Sequence, residues 1–177
     1  LTIPMSISNI ASGAIAIKFG LLGSSFSITS ACASSTHCIG EAYRNIKDGY
    51  SDIIFAGGSE ASICEFGISS FQSLTALSKS EDRNRSSIPF DLNRNGFVMG
   101  EGAGVLILED LESALKRGAK IYCEIVGYGT TSDAYHITSP CPDGNGAYRC
   151  MRDAMADAGV NCTEISYINA HGTSTHH

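Results

Sequence analysis

Apolar residues along the chain recur in two rhythms. Ile10, Ala14, Ile17 and Leu21 follow three- and four-residue steps and the run closes at Gly23, which predicts an amphipathic first helix. Ile39, Ala42, Tyr43 and Ile46 repeat the pattern between Ala33 and Asp48, with Gly49 in the position of a C-terminal cap. Helices are also predicted over residues 64–77, over "LESALKRG" (111–118), and over "GNGAYRCMRDAMADAG" (144–159) closed by Gly159. The second rhythm is the short apolar run. "SFSITS" (25–30) reads as a strand, and "DIIFAGG" (52–58) as a strand covered on both faces. "GAGVLILED" (102–110), "AKIYCEIVGYGTTSD" (119–133) and "SYINAHG" (166–172) add three more. Strands alternating with helices predict a layered α/β fold, a mainly parallel sheet, and chemistry at its carboxyl edge. Residues 79–96 form a polar excursion ending in "PFDLNRNGF", too long for a mere connector, and are expected to pack over a site.

Composition narrows the class. The 177 residues are 43% hydrophobic and 17% charged, which suits one globular domain or a piece of something larger. No apolar run approaches the roughly 20 residues that span a bilayer, and the opening "LTIPMSISNI" has no secretory pattern. A formal charge of -6, with 12 Lys and Arg and no basic run beyond Lys116 and Arg117, argues against nucleic acid. The seven cysteines form no C-x-x-C pair, so no zinc site or disulfide framework is expected, and six of them read as buried thiols.

The seventh is Cys32. It follows "SFSITS" at or just before the first turn of the next helix, where unpaired backbone N–H groups would favour a thiolate and could hold an oxyanion. Ala31, Ala33, Ser34 and Ser35 leave space around it, as at a nucleophile elbow. By spacing alone a free cysteine is more often a buried spacer than a nucleophile. His37 lies five residues on, a rotation of about 140° along a helix, and is expected on the surface or in packing. His171, after an apolar run and before Gly172, is the better partner, though a structural histidine fits the pattern equally; His136 reads as structural. The glycines of "GFVMGEGAG" match no phosphate-binding loop and predict a tight turn. Glu60, Glu65 and Asp91 form no convincing acid–base pair.

Taken together, "SITSACASSTHCIGEAYRNIKDGYSDIIFAGGSEA", "PFDLNRNGFVMGEGAGVLILED", "SDAYHITSP" and "YINAHGTST" resemble, in order, the signature blocks of β-ketoacyl-[acyl-carrier-protein] synthases, nearest the synthase II type. The resemblance covers nearly the whole chain. It implies a thiolase-like fold, layered α-β-α-β-α with only the central part present, and a homodimer. Residues 1–118 would be the C-terminal part of the first half, with the nucleophile, and 119–175 the start of the second. By the same resemblance Cys32 holds the acyl chain, and His171 polarises the malonyl thioester for decarboxylation. Thr173 and Thr175 contact the phosphopantetheine arm, Thr138 and Ser139 sit near the mouth of that channel, and Gly67 and Phe71 line the acyl pocket. Acyl carrier protein is the implied partner; the phosphopantetheine is the carrier's, and the enzyme itself is expected to bind no cofactor and no metal. Cytoplasm, or the stroma of a plastid or other organelle, is the implied compartment.

The family enzyme is longer than this chain. Its second histidine, a lysine and a phenylalanine gate would lie beyond residue 177, and His176 and His177 stand where a proline is expected. These departures predict an incomplete enzyme, inactive alone, with residues 176–177 a tag remnant. A ketosynthase of a polyketide synthase, a non-catalytic piece, and a cysteine hydrolase, for which no Cys-His-Asn signature is present, are the alternatives.

Overall fold

The structure, a computed structural model, describes residues 2–176. The expectation for His177 lies outside them. In chain order the elements are α1 (Thr2–Ser6), α2 (Ile10–Phe19), α3 (Ser34–Lys47), β1 (Ile53–Glu60), α4 (Glu65–Ser73), β2 (Gly102–Glu109), α5 (Leu111–Lys116) and α6 (Asn145–Ala158), with short 3-10 turns at Ala31–Ala33, Arg83–Arg85 and Cys162–Glu164. They fall into two compact units. One runs up to Ser59 and resumes over Ala103–Ile125; the other comprises Glu60–Gly102 and the chain from Val126 onward.

In the first unit, α2 stops at Gly20, not Gly23: Gly20 takes the left-handed conformation (φ 65°) that turns the chain back onto the Ala16 carbonyl. The end of α3 follows the sequence pattern. Gly49 adopts φ 76° and donates to the Ile46 carbonyl, while Tyr50 donates to that of Asn45. β1 and β2 pair in a two-stranded sheet. The Asp110 N–H donates to the Asp52 carbonyl at 3.0 Å, and Gly57 lies against Gly104 and Val105, so the strands run antiparallel. This corrects the expected parallel sheet. Strand–helix–strand order sets a parallel direction only when the helix packs back on the same sheet, and the β1–β2 connection here belongs to the other unit. The Phe19 and Phe55 rings stack at 5.7 Å, fixing the end of α2 against β1. α3 approaches β1 at Gly58, where a Cβ would sit 2.0 Å from the Ser35 hydroxyl. The glycine therefore lets the first turn of α3 sit against the strand.

In the second unit, α6 runs between Gly144 (φ 65°) and Gly159 (φ 68°), as its pattern predicts. It packs on residues 127–132, where a Cβ on Gly127 would meet the Ala154 carbonyl at 2.4 Å. The Tyr128 N–H donates to Asp157, Thr131 donates to the Gly146 carbonyl, and Arg149 to that of Ser132. These bonds tie residues 128–132 to α6, and the strand expected over 119–133 is absent. Among the described residues 25–30 and 166–172 also carry no ladder. A strand exists only where a neighbour accepts its hydrogen bonds, which no local pattern reveals.

Both units leave apolar surface open. The chain exposes 13439 Å², against about 8,200 Å² for a typical folded monomer of 18.6 kDa. Val105, Leu106 and Ile107 of β2 are exposed, and β1, expected to be covered on both faces, has Ile53 exposed and Ile54 and Phe55 only half-buried. Nor are the other six cysteines buried: Cys64, Cys123 and Cys162 are exposed, and Cys38, Cys141 and Cys150 half-buried. Among the described residues no helix is long and apolar enough to cross a membrane.

Candidate active site

Cys32 is exposed at the centre of the Ala31–Ala33 turn, with α3 beginning two residues later. The turn is strained. Ala31, which precedes the thiol, has φ 50°, a conformation that costs an L-residue with a Cβ about 1–2 kcal/mol. Side chains hold it there. The Ser34 hydroxyl accepts the Ser30 N–H at 2.8 Å and donates to the Ala31 carbonyl at 2.7 Å. The Ser30 hydroxyl meets Nδ1 of His37 at 2.6 Å. His37 is thus half-buried and tied to the residue that opens the turn.

One sequence expectation is corrected at this turn. The Ala33 N–H donates to the Ser30 carbonyl at 3.1 Å and the Ser34 N–H to that of Ala31. The tight turn consumes the amides expected to be free for an oxyanion. Among the described residues the N–H of Cys32 itself keeps no partner, so it is the donor that remains beside the sulfur.

The other candidates lie in the second unit. His171 is exposed and precedes Gly172, which packs against Pro89 and Phe90 of the excursion. The hydroxyls of Thr173 and Thr175 meet at 2.6 Å. They are brought together by Ser174, which is buried and left-handed (φ 63°). The excursion holds this residue from two sides: the Ile88 N–H donates to its hydroxyl at 3.0 Å and the Gly96 N–H to its carbonyl at 2.8 Å. Arg94 adds Nε–H to the Thr175 carbonyl at 2.6 Å and Nη1–H to that of Asp91 at 3.1 Å. Asp91 pairs with Arg85 at 3.1 Å. The Asn93 N–H and then the Arg85 guanidinium hold the Asp91 carboxyl below its ordinary pKa.

Thr138 and Ser139 follow His136, whose Nδ1 accepts both backbone N–H groups at 3.1 Å. Gly67 and Phe71 lie one turn apart on α4. Phe71 packs edge-on against Phe97 at 5.4 Å. The Cβ direction of Gly67 is filled by the Ser62 carbonyl, at 2.1 Å, so the close approach at the start of α4 already explains its lack of a side chain.

Sequence reasoning passed over Ser30, Ser174 and Arg94. Small hydroxyl residues carry no pattern of their own, and Arg94 was visible only as part of the polar excursion.

Residues 2–114 match the model of the β-ketoacyl synthase N-terminal domain, and residues 122–177 that of the β-ketoacyl synthase C-terminal domain. The chain belongs to the β-ketoacyl synthase family. It is 49% identical over 175 residues to the 3-oxoacyl-[acyl-carrier-protein] synthase 2 of Rhizobium meliloti, and 52% identical over 174 residues to that of Synechocystis. Each alignment covers 98% of this chain and 42% of the relative, so the chain spans less than half the length of these relatives. Among solved structures, a ketosynthase of a type II polyketide synthase, in complex with its acyl-carrier protein and bound to the hexaketide, superposes with a TM-score of 0.92 at 41% identity, covering 95% of this chain and 42% of that one. A β-ketoacyl synthase from Burkholderia phymatum gives 0.89 at 39% identity, covering 94% of this chain and 40% of that one. The fold is thiolase-like, as the sequence blocks implied.

Proposed function

We propose that this chain carries the acyl-loading turn, and part of the condensing site, of a β-ketoacyl-[acyl-carrier-protein] synthase of fatty acid elongation. The observation that carries the reading is an exposed thiol on a strained, side-chain-tied turn. It stands within a sequence about half identical, along 98% of its length, to 3-oxoacyl-[acyl-carrier-protein] synthase 2. Cys32 sulfur, as thiolate, attacks the thioester of an acyl chain on acyl carrier protein; the tetrahedral oxyanion leans on the Cys32 N–H and collapses, expelling the carrier as its thiolate. Malonyl carrier protein then loses carbon dioxide. The electron pair of the broken C–C bond moves into an enolate, whose carbon attacks the Cys32 thioester and expels the thiolate, leaving a 3-oxoacyl chain two carbons longer. The His171 N–H donates to the enolate oxygen, so its bond strengthens only as charge develops. Thr173 and Thr175 bind the phosphopantetheine arm, Thr138 and Ser139 receive it at the channel mouth, and Phe71 lines the acyl pocket.

The partner in this reading is acyl carrier protein, with a second copy completing a homodimer. The phosphopantetheine arrives on the carrier, and the enzyme needs no bound cofactor of its own. The work is done in the cytoplasm, or in an organelle stroma in a eukaryote. Similarity to the polyketide ketosynthase favours a second reading, in which the same condensation extends a chain that is not reduced between rounds.

Condensation by the natural polypeptide that carries this chain tests both. With acyl and malonyl carrier proteins alone, one round of extension to the 3-oxoacyl product, read by mass, supports the elongation enzyme. Repeated extension without a reductase supports the polyketide reading, and no product at all overturns both.

A further inference from the structure

Ser174 is a polar residue, 2% exposed, in a backbone conformation that serine rarely adopts. Such a conformation persists only where surroundings over-determine it. Here the excursion supplies the constraint. Ile88 and Gly96 hold Ser174 by its hydroxyl and its carbonyl, and Arg94 holds the next residue by Nε–H to the Thr175 carbonyl at 2.6 Å. Arg94 does so from a guanidinium whose Nη1 is bonded to the Asp91 carbonyl, in a loop braced by the Arg85–Asp91 ion pair. A planar fork with fixed donor directions can tie two carbonyls at once; an ammonium on a flexible stem cannot fix both directions. The consequence is local. With Ser174 left-handed, the hydroxyls of Thr173 and Thr175 meet at 2.6 Å and present as a pair.

We propose that Arg94 is a positioning residue for the Thr173–Thr175 pair: by clamping the Ser174 turn it holds both hydroxyls in the one arrangement that receives the amide-bearing arm of the incoming carrier. The inference rests on the reading of Thr173 and Thr175 given under the proposed function. Arg94 itself touches no substrate.

The test compares Arg94→Gln and Arg94→Lys with the unaltered natural polypeptide. Three quantities are read: the fraction of Cys32 alkylated by iodoacetamide, kcat, and KM for malonyl carrier protein. Losing a charge-assisted bond predicts a KM raised about tenfold or more in Arg94→Gln. Arg94→Lys falls between, and kcat and the alkylated fraction stay near those of the parent. A merely structural role moves different quantities: the alkylated fraction and kcat per mole fall together while KM stays put, and that result overturns the proposal. So does a normal KM in a folded Arg94→Gln, or failure of both variants to fold, which would make Arg94 a general stability residue. If the parent enzyme does not condense at all, it is the functional reading that fails, and the two failures are told apart.

Discussion

The Ser30 hydroxyl and Nδ1 of His37 lie 2.6 Å apart, joining the residue that opens the Cys32 turn to the first turns of α3. The bond helps hold Ala31 in its left-handed conformation, and with it the direction of the thiol. Ser30→Ala is therefore expected to cost about 0.5–1.5 kcal/mol in denaturant unfolding, and to slow iodoacetamide alkylation of Cys32 severalfold. Ser30→Thr keeps the hydroxyl and is expected to stay near the parent in both. Equal alkylation rates in the alanine variant would show that the turn is held by Ser34 alone.

Gly67 offers a choice between two roles. Its Cβ would lie 2.1 Å from the Ser62 carbonyl, a backbone atom that cannot swing aside. Gly67→Ala is thus expected to destabilise the protein by about 1–3 kcal/mol, as overpacking does. It should lower turnover of short and long acyl chains alike. A variant of unchanged stability that selectively rejects long chains would instead place the residue in the acyl pocket.

The pH dependence of the excursion has a definite sign. Asp91 has its pKa lowered in the folded protein, by the Asn93 N–H first and by Arg85 second. Its contribution is fully present above the ordinary aspartate value of about 3.9 and is lost as pH falls through the lower folded value. A carbon-13 NMR titration should place the Asp91 midpoint below the ordinary value, and Arg85→Gln should move it upward. A midpoint at or above the ordinary value in the parent would mean that these bonds do not form in solution.

Helices were legible in this sequence, and so were β1 and β2, but the three other expected strands do not form, for a physical reason. α3 and α6 close their hydrogen bonds within themselves, and Gly49 and Gly159 end them by residue type alone. The run at 119–133 looked like a strand because it is apolar. Its Tyr128 N–H and Ser132 carbonyl are instead served by Asp157 and Arg149 of α6, partners set by tertiary packing. In the same way Cys32, His171, Thr173 and Thr175 could be singled out from residue type and motif. The strain at Ala31 and the burial of Ser174 could not, because they arise from Ser34 closing the Cys32 turn and from Ile88, Gly96 and Arg94 reaching across the chain.

The division of labour between Cys32 and His171 is separable. In His171→Ala, acyl transfer onto Cys32 should survive, because the sulfur needs no enolate donor. Condensation with malonyl carrier protein should fall by about 100-fold or more, as when one preorganised oxyanion donor is removed. Release of labelled carbon dioxide and acyl loading, followed on the same preparation, check this. Equal loss of both would show that His171 serves the thiol.

The central claim is that Cys32 is the acyl acceptor, and the mass of the acylated protein tests it most directly. The natural polypeptide carrying this chain, incubated with acyl carrier protein bearing a labelled acyl group and no malonyl donor, should gain the mass of one acyl group. Peptide mapping should place that group on Cys32, and Cys32→Ser should gain none. Acylation that persists in the serine variant, or that maps to any other residue, would contradict the account.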